Sequence, residues 1–522
     1  MQPFFPALPC LGLLLAGCAT ASMPQAPAPP AMQAMQVPQR APLSAHDLAL
    51  INRLSWGVSP SLAKSAQVEG MKNFVEHQLH PSADDGLPPE IAAQVAALTI
   101  SSEPVDQLVR EISEQRQQAN MTADPMEKQA AQRALQERLN QLAREASTRS
   151  LLRDVYSRNQ LKELTSWFWL NHFNVYLPKN DIRLFVGDYE ENAIRPNALG
   201  RFRDLLSATL HHPAMLRYLD NDQNADKHIN ENYARELMEL HTLGVNGGYT
   251  QKDVQELARI LTGLGVNESA NEPKLKPDLK LKYIRDGAFE FNPNRHDFGT
   301  KMFLGHEIKG SGLPEIDEAV DILAHHPSTA RFISKKFATF FVSDDPPSAL
   351  VERMAETFRK TDGDIASVLE TAFSSPEFDA SLHAKFKDPM HFAISAVRLA
   401  YGDKPIVNPQ PIRNWLNRMA EPLYGHETPD GYPLIEAAWA GPGAMATRFE
   451  IARVIGSGSA GLFKSDGPDA LERPAFPRIA GPLYFDAIGP TLAASTSETL
   501  DQAVSPQDWN TLFLASPDFM HW

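Results

Sequence analysis

The sequence predicts a mainly α protein, a large multi-helix globular domain with a small β-hairpin insertion. Three observations carry that expectation. Apolar residues recur at three- and four-residue steps over most of the chain after residue 44. Helix-entry and helix-exit residues bracket those periodic runs. Apolar–polar alternation, the mark of a strand, is confined to a short stretch near residue 290.

In chain order, Leu48, Ile51 and Leu54, then Phe74, Val75 and Leu79, give the first helical spacings. Met126 to Tyr156 reads as one long polar helix with Leu135, Leu139, Leu142 and Ala146 on a stripe. That stripe fits an antiparallel helical arm. Leu161 to Phe173 continues as an aromatic-rich helix through Trp167-Phe168-Trp169. Asn230 to Leu243 is a helix with Tyr233, Leu237 and Leu240 on one face, ended by Gly244. Thr250 opens the next helix, with Asp253 placed for a capping box and Val254, Leu257 and Leu261 as its stripe. Phe289 to Leu304 is the expected β-hairpin. Residues 346–358, 365–373 and 391–401 read again as helices. Asp362-Gly363-Asp364 lacks the rest of a calcium loop, and Asp364 reads as a helix cap. Two short patterns recur, His211-His212-Pro213 as His325-His326-Pro327, and Ser375-Pro376 as Ser516-Pro517.

The chain has 522 residues, enough for a large core, and a formal net charge of −15. That charge argues against nucleic acid as a partner, because phosphate binding needs a basic surface. Cys10 and Cys18 are the only cysteines. The body therefore has neither a disulfide nor a thiolate site. Phe4 to Ala16 is a Leu-rich run, too short to span a bilayer and suited to a secretory signal, although no Lys or Arg precedes Arg40. It ends in Leu15-Ala16-Gly17-Cys18, which resembles a bacterial lipobox. Met23 to Pro42 is rich in Pro, Ala, Gln and Met and reads as a tether. The expected organisation is a signal over 1–18, a tether over 19–43 and a helical body over 44–522, with a subdivision near 385 left open. Cys18 is the expected lipidation site and a lipid bilayer the expected partner. Ala19 rather than Asp after the cysteine, by resemblance to enterobacterial sorting, favours the outer membrane of a Gram-negative envelope.

The segments Asn230-Glu231-Asn232-Tyr233-Ala234-Arg235-Glu236-Leu237-Met238-Glu239-Leu240-His241-Thr242-Leu243-Gly244 and Gly247-Gly248-Tyr249-Thr250 are distinctive. With them stand Asn171-His172-Phe173-Asn174, His296-Asp297-Phe298-Gly299 and His326-Pro327-Ser328-Thr329-Ala330-Arg331. Together they resemble the bacterial family called domain of unknown function 1800. The start departs from the family, with Arg53-Leu54-Ser55-Trp56-Gly57 in place of a double-Arg-Ala-Gly-Phe-Gly sequence. The resemblance implies export and, often, a neighbouring gene for a sulfatase-like exported protein. It implies no known reaction.

Chemistry is best sought on the Glu231–His241 helix. At about 100° per residue, Glu231, Arg235 and Glu239 lie within about 80° of one another, with Glu236 nearby. This face, Glu231, Arg235, Glu236 and Glu239, is the candidate catalytic set, a guanidinium to hold an anion and carboxylates for proton transfer. A plain salt-bridge ladder explains the same pattern. His241 falls on the edge of the apolar stripe and also reads as a hydrogen-bonded core histidine. His172, His241, His296 and Asp297 are the candidate ligands of a divalent metal, by residue type rather than by spacing. Lys301 stands ready to pair with a nearby acid. Two functional expectations follow: a binding or assembly lipoprotein working with another exported protein, or an envelope hydrolase using the Glu/Arg/His centre with or without metal.

Overall fold

Proline decides where many of the helices begin. Ser59-Pro60, Asp124-Pro125, Ser375-Pro376, Asp388-Pro389, Ser505-Pro506 and Ser516-Pro517 each open one, and in each the residue before proline accepts a hydrogen bond from a first-turn N–H. Proline suits that position because its missing N–H would have no helical partner there. The two His-His-Pro segments use the same device. His212 and His326 accept through Nδ1 from the N–H of Ala214 and Ser328, both at 3.1 Å. His211 and His325 each donate through Nδ1 to the carbonyl four residues back, both at 2.8 Å.

A computed structural model describes residues 43–269, 271–464 and 475–522. The signal, Cys18 and all but the last residue of the tether lie outside the described residues. Pro42–Trp522 is one unit by its contacts. The protein is mainly α, with helices from Ala45–Arg53 to Pro517–Met520. Helices Val105–Met121 and Pro125–Tyr156 pack against each other as the expected arm, tied by Arg138 on Glu111 at 3.0 Å. Leu135, Leu139, Leu142 and Ala146 are its buried stripe. Gln160–His172 is buried on every side, and Phe168 and Trp169 pack against Phe337 of helix Pro327–Phe341 at 4.5 and 5.1 Å between ring centres. Thr250 and Asp253 form the capping box of Gln251–Ile260, and Asp364 caps Ile365–Phe373.

The β structure differs from the single hairpin expected over Phe289 to Leu304. Both ends of that stretch are strands, but they do not pair with each other. β1 (Leu264–Val266), β2 (Ile284–Asp286) and β3 (Phe289–Phe291) form an antiparallel sheet in the order β1-β3-β2, with Leu264 and Ile284 both opposite Phe291. β4 (Lys301–Phe303) pairs instead with β5 (His306–Ile308). The turn residues explain the difference. Leu304 and Gly305 both have positive φ, 48° and 83°, the geometry of a tight two-residue hairpin. The stretch between β3 and β4 is too long for such a turn and forms the loop that carries His296 and Asp297.

Candidate functional site

Asn171-His172-Phe173-Asn174 ends the buried Gln160–His172 helix, and its two asparagines fasten a distant loop. Asn171 Oδ1 accepts from the Tyr432 N–H at 2.6 Å, and its Nδ2 donates to the Tyr432 carbonyl at 2.9 Å. Asn174 Nδ2 donates to the carbonyls of His426 and Thr428, both at 2.9 Å. Gly431 has a φ of 75°, and a Cβ there would stand 2.1 Å from the Asn171 carbonyl oxygen. Only glycine lets this loop approach so closely. The loop delivers Asp430, whose Oδ1 accepts from Thr428 Oγ1 at 2.5 Å and lies 3.3 Å from His426 Nε2. Partial burial would raise the Asp430 carboxyl, but the bonds from Thr428 and His426 hold it below its ordinary value.

His172 lies between the two asparagines in sequence and is buried. Its Nε2 is 3.0 Å from the carbonyl oxygen of His241, so Nε2 carries the proton and donates. Nδ1 is then the acceptor and takes a hydrogen bond from Lys336 Nζ at 2.8 Å. Burial, the Lys336 charge and His241 hold the His172 imidazolium well below the ordinary histidine value. The ring is therefore neutral with a fixed tautomer. Burial also pushes the Lys336 ammonium down to about 8, against the opposing charge of Asp430. Among the described residues no carboxylate forms an ion pair with Lys336 within 4.0 Å.

The His241 carbonyl is free for His172 because its helix ends here. The α-helix Asn232–Glu236 passes into a π-turn, Leu237–Thr242, and Gly244 follows with a φ of 79°. The wider turn brings His241 beside Leu237 and Met238 on the buried face, while Leu240 is only half-buried. This corrects the expected Tyr233/Leu237/Leu240 stripe, which assumed α spacing throughout. His241 is fully buried, yet neither ring nitrogen has a hydrogen-bond partner among the described residues. Burial and Lys336 push it down to about 3. It is thus a core histidine, but not the hydrogen-bonded one expected.

The candidate catalytic set divides at the same turn. Arg235 pairs with Glu231 at 3.0 Å, and Gln251 bonds both, forming a surface ladder. Arg235 makes no ion pair with Glu239, because the π-turn shifts every position after Leu237 off the α spacing. Glu236 is half-buried and is raised by burial, then by the charge of Glu239, against Arg235, with Asp430 adding to the rise. Glu236 therefore stays coupled to Arg235, and it reaches the Lys336–His172 pair only through Asp430, whose charge acts on both Glu236 and Lys336.

The four candidate metal ligands are not brought together. His172 and His241 are neighbours, with ring centres 5.8 Å apart. His296 belongs to another buried cluster, where Nδ1 donates to the Thr262 carbonyl at 2.7 Å and Nε2 meets Glu315 Oε1 at 2.5 Å. Lys301 pairs with the other Glu315 oxygen at 2.5 Å. Asp297 pairs with Arg259 at 2.7 Å. Among the described residues no three His, Cys, Asp or Glu side chains are placed to hold a metal ion. Lys336 and Asp430 were missed in the sequence, although Lys336 carries a signal. It lies one turn from Phe332, Ile333 and Phe340, on a face that should hold no charge.

A family model described as protein of unknown function (DUF1800) matches residues 49–521. No curated protein and no solved structure matches the chain.

Proposed function

From a chain that belongs to the DUF1800 family, we propose an enzyme of the hydrolase type, acting by acid–base chemistry in the cell envelope. One observation carries the reading. Lys336 Nζ donates to a neutral imidazole rather than to a carboxylate, with Asp430 as its opposing charge, and Asp430 acts in turn on Glu236. An ammonium so held retains capacity for a substrate anion or a polarised carbonyl oxygen. Glu236, raised by burial and by its acidic neighbours, is the proton donor, and the ionised Asp430 is the complementary base. His172 is a positioning residue that fixes Lys336. The Leu15-Ala16-Gly17-Cys18 sequence supports a lipid anchor at Cys18, and Ala19 rather than Asp after it supports an outer-membrane location. No helix among the described residues is long and apolar enough to cross a membrane.

The test uses the purified full-length protein and an envelope fraction from cells lacking it. Soluble products are followed by mass spectrometry. Release of a product by the wild type, lost with Lys336→Met and with Glu236→Gln, is the expected result. Equal product from both variants overturns the assignment.

A second reading, a binding or assembly lipoprotein, has its own support. A groove of about 1230 Å³ is lined by Tyr484, Phe485, Val504 and Trp509, and Phe485 and Val504 are 65% and 91% exposed. Exposed apolar surface of this kind suits a protein partner, and the family resemblance suggests a sulfatase-like exported protein. Affinity capture from gently solubilised membranes checks it, and a Phe485→Asp variant that captures the same partner equally well removes this groove from consideration.

A further inference from the structure

Lys387 lies outside the Lys336 centre and has no evident structural task for its charge. Its backbone is fixed on both sides. The N–H donates to the Met520 carbonyl at 2.8 Å, and its carbonyl accepts from Arg448 Nη2 at 2.7 Å. The side chain is 2% exposed. Its Nζ stands 3.7 Å from the centre of the Phe519 ring. Among the described residues it forms no ion pair and donates no side-chain hydrogen bond. The neighbouring acids are engaged elsewhere. Asp518 accepts from the Ala493 N–H at 3.0 Å and from Thr496 Oγ1, and Asp388 accepts from the His391 N–H at 2.7 Å.

This side chain lines a cavity of about 370 Å³. The volume is near the lower end for small-molecule sites, roughly 300–1,000 Å³. Most of the wall is apolar, with Leu48, Val58, Leu399, Ile488, Leu492 and Phe513. The charged or titratable side chains of the wall are His383, Lys387, Asp518 and His521, with Asn52, Ser395 and Thr491 as further polar groups. A buried ammonium facing a ring but no anion is costly to keep, since an aromatic face replaces only part of its hydration. Burial and the nearby Arg448 charge push Lys387 down to about 7. An anion entering the cavity would restore the missing partner, and the apolar wall would accept an aliphatic chain.

We propose that this cavity is a binding site for a small anionic amphiphile, an aliphatic carboxylate whose head group meets Lys387 and whose chain lies along the apolar wall. It is independent of the Lys336 centre and of any reaction there.

Calorimetric titration of the full-length protein with decanoate, and separately with decanol, tests it. Saturable one-to-one decanoate binding is expected. Lys387→Met should weaken it roughly 10- to 100-fold, the value of a charge-assisted hydrogen bond, and leave decanol binding unchanged. Leu492→Trp, which fills the cavity and keeps the charge, should remove both ligands. It serves as the deciding variant if Lys387→Met does not fold. Absence of saturable decanoate binding overturns the proposal, as does unaltered binding in either folded variant.

Discussion

His172 and His241 show how a few residues set the behaviour of the centre. Both are buried, and both hold protons less well than in the unfolded chain, His241 down to about 3. The unfolded chain therefore binds more protons below about pH 6.5, and stability falls as pH drops through that window. The loss is up to about 1.4 kcal/mol per pH unit for each histidine. Urea midpoints measured between pH 7 and pH 5 should show it. His241→Leu should flatten the slope by one proton, and an unchanged slope would count against this account. Lys336 gives a different signature. If its cation works in catalysis, activity declines above about pH 8, where the ammonium is lost. Asp430→Asn removes the opposing carboxylate and should move the Lys336 titration itself to lower pH. Because Asp430 is also the proposed base, an NMR titration of the Lys336 amine, not a rate profile, checks the direction. His172, His241, Glu236 and Glu239 stood out in the sequence because they sit in dense local motifs. Lys336 was not, because its hydrogen bond to His172 spans 164 positions. No single-helix pattern reports a partner that far away.

At the scale of elements, helix Leu313–His325 depends on one acid. Glu315 Oε1 accepts from the Gly312 N–H at 3.0 Å and meets His296, while Oε2 holds Lys301 of β4. A helix start, a loop and a strand thus share one fully buried carboxylate. Glu315→Gln leaves the Lys301 charge without its counter-ion. It should cost about 3–5 kcal/mol, readable as a lower urea midpoint with an unchanged slope. His326→Ala should cost only about 1 kcal/mol, the usual value of a helix cap. The helices were legible because cap, proline and stripe agree at each start. Of the five strands, only Phe289–Phe291 and Lys301–Phe303 fell in the stretch read as β, and their pairing was not legible. Phe289–Phe291 takes two partners, and one of them, β1, lies across an intervening segment of the chain. Alternation specifies a face, not a neighbour. The π-turn at Leu237 left no mark in residue type, which is why Glu239 was assigned to the wrong ladder.

Across the whole molecule, the first helix and the last residue meet. Arg53 ends helix Ala45–Arg53 and donates to the carbonyls of Phe341 at 2.6 Å, Ser381 at 2.7 Å and Trp522. Its guanidinium also lies 5.1 Å from the centre of the Trp522 ring. The Trp522 ring packs on Phe340 and His391, and its backbone N–H donates to the Lys385 carbonyl at 2.9 Å. Trp522→Ala should cost about 3–5 kcal/mol, as for other buried aromatic truncations. Arg53→Met should be non-additive with it, because the two share partners. A double-mutant cycle by urea unfolding measures the coupling, and strict additivity would show the contact to be incidental. The helical class could be read from periodicity along the chain, but this closure could not, since no local motif links Arg53 to Trp522. The closure has a consequence for how the protein is made. A chain released from its amino end first delivers Arg53 long before Phe341, Ser381 and Trp522 exist to receive it. Arg53 can therefore meet all of these partners only after Trp522 has emerged. A chain that lacks Trp522 would leave the buried Arg53 guanidinium without one of its three carbonyl partners.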